Sequence, residues 1–352
     1  MTTKDLLQQV VDAKASDLHL IAGTPPTLRI EGVLSPLSNF GVLTPEEISK
    51  LVAEVLSSDR LSKLTVDKEI DFSLPFSDLA RFRVNVYTQK GSYAVAFRKI
   101  PLAIPAIDEL GLPLILHSFT TLKQGLILVV GPTGHGKSTT LAAILNEVNL
   151  NRQCHIVTIE DPIEFIFRPQ KAIVSQREMH SDTHSWEVAL RSVLREDPDV
   201  VLVGEMRDYE TMAAALTVAE TGHLVFATLH TNSAAQTIDR IVDAFPEEQQ
   251  DQIKLQLSSV LEAVFSQRLV PAISGGRAVA YEVMLATNAI KTSIREGKTQ
   301  MIDSVLETSQ EAGMVTLERS LTDLVKSGKI TLDVAQDWSL RPELLSRLIK
   351  NL

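Results

Sequence analysis

The chain has 352 residues, 44% of them hydrophobic, and a net charge of −10. That length supports two domains with cores of their own, and the acidic balance, with a pI near 5.4, argues against a nucleic-acid partner, which calls for a basic excess. The single cysteine, Cys154, excludes an intramolecular disulfide and a cysteine-rich zinc site and reads as a small packing residue. No apolar run reaches the ~18 residues of a membrane span. The charged start MTTKDLLQQVVDAKASD lacks the apolar centre of a signal peptide, so the expectation is a cytoplasmic protein with no direct membrane span.

Residues 1–100 read as an α+β domain. Asp5 to Lys14 carries apolar Leu6, Val10, Val11 and Ala13, the pattern of a short amphipathic helix. Leu18 to Ile21 is a strand, and Thr27 to Ile30 followed by Glu31-Gly32 suggests a hairpin. Thr44-Pro45-Glu46-Glu47 is a helix start, with an N-cap Thr, Pro at the first position and acids in the first turn; that helix runs to about Leu56. From Ala80 to Tyr87, Phe82, Val84 and Val86 share one face of a strand while Arg81, Arg83 and Asn85 share the other. In Ser92 to Lys99, Arg98 falls on the face of Ala94 and Ala96. Arginines grouped on a sheet are commonly solvated or salt-bridged; the functional alternative is that Arg81, Arg83 and Arg98 reach a nucleotide across a domain or subunit boundary.

Residues 101–117 hold Pro101, Pro105 and Pro113, which resist regular structure and mark an interdomain linker leading into a short helix. Next comes the chain's most specific signal, Gly131-Pro132-Thr133-Gly134-His135-Gly136-Lys137-Ser138-Thr139. It fits the phosphate-binding pattern G-x-x-x-x-G-K-[ST]. The apolar run Leu126 to Val130 precedes it as a buried strand, and Ser138 to Val148 follows as a helix. The glycines let backbone N–H groups face one anion, and the helix turns its positive end toward it. Lys137 reaches the β- and γ-phosphates of ATP, and the Ser138 hydroxyl can ligate Mg²⁺.

Further acids follow at strand ends, where ligands bind in open α/β sheets. His155 to Ile159 is a buried strand ending in Glu160-Asp161-Pro162-Ile163-Glu164, a set able to hold Mg²⁺ through water or to polarise an attacking water. Ser185 to Arg195 is helical. Val200 to Val203 is an apolar strand closed by Gly204-Glu205, with Glu205 placed to bind Mg²⁺ or its water shell, and Arg207 is a second candidate behind it. Tyr209 to Thr221 is a helix with Gly222 as its C′ residue. Leu224 to Thr228 is the next strand, bracketed by His223 and His230; His230 stands where a γ-phosphate can be sensed. Asn232 or Ser233 caps a helix through Asp243. A longer helix is expected from Phe245-Pro246 to about Gln267. From Tyr281 onward the pattern is mostly helical: Ala289 to Glu296, Gln300 to Glu311, Thr316 to Lys326 and Thr331 to Ile349. Strands alternating with helices predict a RecA-like parallel sheet over residues 118–275, with a helical appendix over 276–352.

These motifs together resemble the type II/IV secretion ATPases, most closely the branch that retracts type IV pili, and the resemblance runs through nearly the whole chain. Gly131 to Thr140 is similar to that family's Walker A segment, Thr158 to Phe165 to its Asp box, Arg195 to Asp208 to its Walker B segment and Ala219 to Thr231 to its His box. The resemblance implies a PAS-like N-terminal domain, a RecA-like motor and a homohexamer beneath an inner-membrane platform protein, driving pilus retraction and twitching motility. It implies Glu164 as general base with Glu160 and Asp161 beside it, and Glu205 as the Walker B acid. His223 and His230 become the His-box residues, and Arg81, Arg83 and Arg98 approach the γ-phosphate between subunits. The retraction branch carries a late Ala-Ile-Arg-Asn-Leu-Ile-Arg-Glu segment; here it reads Ala289-Ile-Lys-Thr-Ser-Ile-Arg-Glu296. Arg and Lys are not interchangeable at bidentate contacts, which keeps an accessory paralogue of the retraction motor as an alternative. Pilus-assembly and type II secretion relatives usually carry a tetracysteine zinc segment that a chain with Cys154 alone cannot form, which counts against an assembly or secretion ATPase, the other alternative.

Overall fold

The N-terminal helix α1 (Thr3–Asp12) begins at a capping box in which Thr2 and Asp5 each bond the other's backbone N–H. Such reciprocal caps satisfy amides that a helix start leaves open. The structure, a computed structural model, describes residues 1–30, 32–76, 80–100 and 103–350. It divides into one unit of Met1–Ala103 with Pro162–Ile166, and a second of Ile104–Asp161 with Phe167–Leu352.

In the first unit β1 (Asp17–Leu20), β2 (Thr27–Ile30) and β3 (Val33–Pro36) are followed by α2 (Pro45–Val55) and α3 (Ser58–Asp67), then β4 (Glu69–Phe76), β5 (Ala80–Gln89) and β6 (Ser92–Ile100). All strand pairs are antiparallel, in the order β3-β2-β1-β6-β5-β4. The expected hairpin is β2–β3, with Glu31 outside the described residues. Thr44 caps α2 through a second capping box, with Pro45 at its start. Lys90 and Gly91 both take positive φ in the two-residue turn joining β5 to β6, the geometry that matches the twist of paired strands. Phe82, Val84 and Val86 are buried on one face of β5, and α1 and α2 add Leu6, Leu7, Ile48 and Val52 to the same core.

Of the linker expected over 101–117, Pro101 and Leu102 lie outside the described residues; its end forms α4 (Ile115–Phe119). The second unit continues with β7 (Gly125–Val130), α5 (Lys137–Asn151), β8 (His155–Glu160), β9 (Ile173–Glu178), α6 (Trp186–Val193), β10 (Val200–Val203), α7 (Tyr209–Glu220), β11 (Leu224–Leu229) and α8 (Ala234–Asp243). It closes with α9 (Glu247–Val260), β12 (Leu261–Pro271), β13 (Arg277–Leu285), α10 (Asn288–Arg295), α11 (Ile302–Thr308), α12 (Leu317–Lys326), α13 (Leu332–Trp338) and α14 (Pro342–Lys350). The sheet order is β13-β12-β7-β11-β10-β8-β9, parallel throughout except for β12–β13. Strands β7, β10 and β11 are buried at every residue, as a parallel sheet covered on both faces requires.

Three expectations fail here. The helix placed from Phe245 to Gln267 stops at Val260, and Leu261–Pro271 is strand. The region from Tyr281 does not start helical, because Arg277–Leu285 pairs antiparallel with β12. Leu261-Glu-Ala-Val-Phe-Ser-Gln has good helix formers, but β7 on one side and β13 on the other supply ladders for the whole segment. Tertiary pairing outweighs a propensity worth tenths of a kcal/mol per residue. The helix expected over Thr331–Ile349 is broken at Ser339–Arg341 into α13 and α14.

Candidate functional site

The sheet order sets four loops side by side, those leaving the C-terminal ends of β7, β11, β10 and β8. Connections that skip a strand open a crevice at such an edge, and ligands of open α/β sheets bind there.

The loop after β7 is the glycine-rich one. Gly131, Gly134 and Gly136 all take positive φ, and Gly136 is the N-cap of α5. At Gly131 (φ +144) a Cβ would stand 2.3 Å from the backbone oxygen of Gln267. β12 therefore runs too close for any other residue. Gln267 is 1% exposed and fastens the loop from its own side: Nε2 donates to His135 O (2.6 Å) and Oε1 accepts from Thr140 Oγ1 (2.7 Å). The Leu269 N–H donates to His135 Nδ1 at 2.9 Å, and the His135 ring packs against Trp338 with centroids 5.6 Å apart. Burial, with the charges of Arg268, Arg277 and Lys137 behind it, lowers the His135 pKa.

Lys137 is buried, and its ammonium donates to Gly131 O (2.7 Å), Pro132 O (3.0 Å) and His230 Nδ1 (3.2 Å). An ammonium has no lone pair, so Nδ1 is the acceptor and the other ring nitrogen carries the proton. That nitrogen, Nε2, meets Glu205 Oε1 at 3.1 Å. Arg207 closes the line, with Nε 2.9 Å from Oε1 and Nη2 3.0 Å from Oε2 of the same carboxylate. Burial raises the Glu205 pKa, but the hydrogen bonds from Arg207 and His230 and the Arg207 charge outweigh it, and the carboxyl stays below its ordinary range. Thr133 Oγ1 also reaches His230 Nδ1, at 3.2 Å. Lys137, His230, Glu205 and Arg207 thus form one contact line across the ends of β7, β11 and β10.

The other expected residues divide. Ser138, half-buried, is the second residue of α5. Glu160 is buried, and its Oε1 accepts from Thr158 Oγ1 (2.7 Å) and Gln176 Nε2 (3.3 Å). Asp161 is exposed, and its charge helps Glu205 keep the Arg207 guanidinium protonated. Glu164 is half-buried in the segment Pro162–Ile166, which groups with the first unit; among the described residues its carboxylate has no hydrogen-bond or ion-pair partner. His223 is not brought to this edge. Its carbonyl accepts from the N–H of Gly125 (3.0 Å), where β7 begins, so a whole strand of about 20 Å separates it from the loop where β7 ends. Its ring is held locally by Val218 O and Thr221 Oγ1, each at 3.0 Å.

The three arginines belong to the first unit, and each has a partner there. Arg98 Nε bonds Asp17 Oδ1 at 2.9 Å, Arg83 Nε lies 3.8 Å from Asp71 Oδ1, and Arg81 bonds the Ser73 hydroxyl. Arg83 and Arg98 stand opposite each other across β5 and β6. Sequence reasoning missed Gln267 because it assigned that residue to a helix, whereas it lies inside β12.

A family model described as type II/IV secretion system protein matches residues 2–336. A type IV pilus retraction ATPase, PilT of Pseudomonas aeruginosa, is 45% identical over 343 residues, covering 97% of this chain and 99% of that protein. The type IV pilus ATPase PilU of the same organism is 39% identical over 336 residues, covering 95% of this chain and 88% of PilU. A crystal structure of the pilus retraction motor PilT with bound ADP superposes with a TM-score of 0.92 at 47% identity and covers 99% of both chains. Agreement over that length carries both units, an N-terminal domain followed by an ATPase domain. The chain is an ATPase and belongs to the type II/IV secretion system protein family.

Proposed function

We propose that this chain is the motor of type IV pilus retraction, a cytoplasmic homohexamer that spends ATP on pilin disassembly against an inner-membrane platform protein. The observation that carries the reading is the contact line Lys137–His230–Glu205–Arg207 over the glycine-rich loop. It brings a lysine ammonium, an imidazole and a carboxylate to one sheet edge, which supports reading them as phosphate-binding cation, γ-phosphate sensor and Mg²⁺-binding acid.

In this reading Gly131 to Thr139 wrap the phosphates and Lys137 turns to the β- and γ-oxygens. Glu205, ionised at neutral pH, and the Ser138 hydroxyl are a donor set suited to Mg²⁺, which keeps waters and phosphate oxygens as its remaining ligands. When bound, Mg²⁺ neutralises charge that develops on the transferred phosphoryl group. Glu164 takes the base role: the Glu160 carboxylate accepts bonds from Thr158 and Gln176, whereas that of Glu164 is uncommitted. His230, sharing Nδ1 with Lys137 and Nε2 with Glu205, is the residue whose contacts must change when a γ-phosphate arrives. Arg81, Arg83 and Arg98 act in trans, on the nucleotide of a neighbouring subunit, and PilU-like paralogues are candidate partners.

The test is pilus dynamics in cells lacking the gene, complemented with wild type or with Lys137→Ala. The expected result is hyperpiliated, non-retracting cells rescued by wild type alone. Normal retraction without the gene assigns the chain to an accessory role beside another motor, and bald cells move it to pilus assembly. Turnover left intact by Glu164→Ala removes that residue from the base role.

A further inference from the structure

A buried charge cluster lies behind the His230 loop. Glu282 of β13 is 1% exposed and Glu318 of α12 is 0% exposed. Arg341, in the joint between α13 and α14, serves both: Nη2 reaches Glu282 Oε2 at 2.9 Å and Nε reaches Glu318 Oε2 at 3.0 Å. Its Nη1 lies 3.1 Å from Asp303 Oδ1 of α11, a charge contact without hydrogen-bond alignment. Glu318 Oε1 fixes the joint by accepting from Ser339 Oγ, Leu340 N and Arg341 N at 3.2, 3.0 and 2.9 Å. Arg268 of β12 adds its charge from the sheet side, facing both acids. Burial pushes the Glu282 carboxyl up, against the bond from Ala234 and the Arg341 charge. Clusters of this kind are seldom the most stable way to fill a core, so their position is the informative feature.

One bond leads out of the cluster toward the nucleotide edge. Glu282 Oε1 accepts the N–H of Ala234, the first residue of α8, at 2.8 Å. A carboxylate suits a helix start, and Ala234 is four residues past His230. The residues between are fastened as well: Asn232 O accepts from Ser266 Oγ at 3.2 Å and Arg268 Nη2 at 3.4 Å. Three residues before Arg341, Trp338 packs on His135 of the glycine-rich loop. The end of α13 therefore packs on the glycine-rich loop, and the joint reaches the start of α8 through Glu282.

We propose that Arg341 and Glu282 are positioning residues for ATP hydrolysis: they fix the first turn of α8, and through it the loop that holds His230 between Lys137 and Glu205. This rests on the reading of that edge as the ATP site. A displacement of about 1 Å at a reacting geometry costs on the order of 100-fold in rate, while the glycine loop keeps its own bonds to β12 through Gln267 and Leu269.

The experiment is steady-state hydrolysis by the full-length protein, with thermal unfolding measured on the same samples. Arg341→Ala is expected to lower kcat by roughly 10- to 100-fold with KM for ATP within about threefold of wild type. Arg341→Lys, a single point charge in place of a fork, recovers part of that loss. Because Arg341→Ala strands a buried carboxylate and can unfold the protein, the paired variant Glu282→Met with Arg341→Met removes both charges together. Glu318 keeps its backbone donors there. The expected result is a folded protein that still turns over slowly, because Ala234 is no longer tethered. Wild-type kcat in the paired variant, or equal loss of kcat and ATP affinity in folded Arg341→Ala, overturns the proposal. Absence of turnover in the wild type would instead strike the ATP-site reading beneath it.

Discussion

The two units handle their charges in opposite ways. In the first, cations are spread over a sheet face and each has its own partner: Arg98 with Asp17, Arg83 with Asp71, Arg81 with Ser73. In the second, Lys137, His230, Glu205 and Arg207 converge from three strand ends into one line of contacts. A paired, spread-out arrangement costs little to build and carries no chemistry within its own chain. A convergent one needs a parallel sheet with skipped strands to deliver its members, and repays that with a site. The arginine face can therefore be catalytic only by meeting something outside its own unit, whereas the second unit brings the glycine loop, Lys137, His230 and Glu205 together by itself.

Arg83→Ala tests that contrast with the largest effect. Its ion pair spans 3.8 Å between side chains that are 40% and 48% exposed, and exposed pairs contribute under about 1 kcal/mol. Unfolding of the first unit should shift by no more than roughly 6 °C. If the arginine acts on a neighbouring subunit's nucleotide, turnover in the assembled protein falls by on the order of 10³ or more. Unchanged turnover would make the face a solvated sheet surface and nothing else.

Gly131 and Gly134 sharpen the account of the second unit. Both take positive φ, but a Cβ at Gly134 meets nothing within 4 Å, while one at Gly131 meets the Gln267 carbonyl at 2.3 Å. Gly134→Ala should cost only the backbone penalty, about 1–2 kcal/mol. Gly131→Ala adds an overlap with immovable backbone, for a total of about 2–5 kcal/mol, which is roughly 5–15 °C in the unfolding temperature of this unit. Equal costs at the two positions, read by calorimetry, would break the claim that β12 dictates the glycine.

How much of this was legible in advance follows contact range. The glycine loop, its strand and its helix are contiguous, so the pattern Gly131 to Ser138 carried them whole. The helix start at Thr44 was legible because a cap acts over three residues, and of the two cap candidates Asn232 and Ser233 the structure uses Ser233. Glu205 and His230 were readable as acids and imidazoles at strand ends, yet the bond that joins His230 to Lys137 spans 93 positions and exists only once β11 is seated beside β7. Gln267 was lost with its strand: Leu261–Pro271 has helix-forming residues, and the partners that make it β12 lie in β7 and β13. The Arg341–Glu282 pair, 59 positions apart, had no local sign at all.

His117 gives the smallest effect and asks whether every charge of the second unit serves the edge at Lys137. It does not sit there: Nδ1 meets Glu147 Oε2 at 2.8 Å and Nε2 meets Asp108 Oδ1 at 3.0 Å, a pairing like those of the first unit. The bonds to Glu147 and then Asp108 raise its pKa above 6.5. A raised histidine pKa stabilises the fold fully below the unfolded value near 6.5, and the contribution is lost as pH climbs through the folded value. Stability of the second unit should accordingly decline over the range above pH 6.5, and His117→Gln should flatten that part of the slope. The side chain is 35% exposed, so solvent screening limits the difference to about 1–3 °C in calorimetry at low salt. Turnover measured across the same range should keep its shape in His117→Gln. A change in the kcat profile would show that this imidazole, paired and remote as it is, also reports to the line at Lys137.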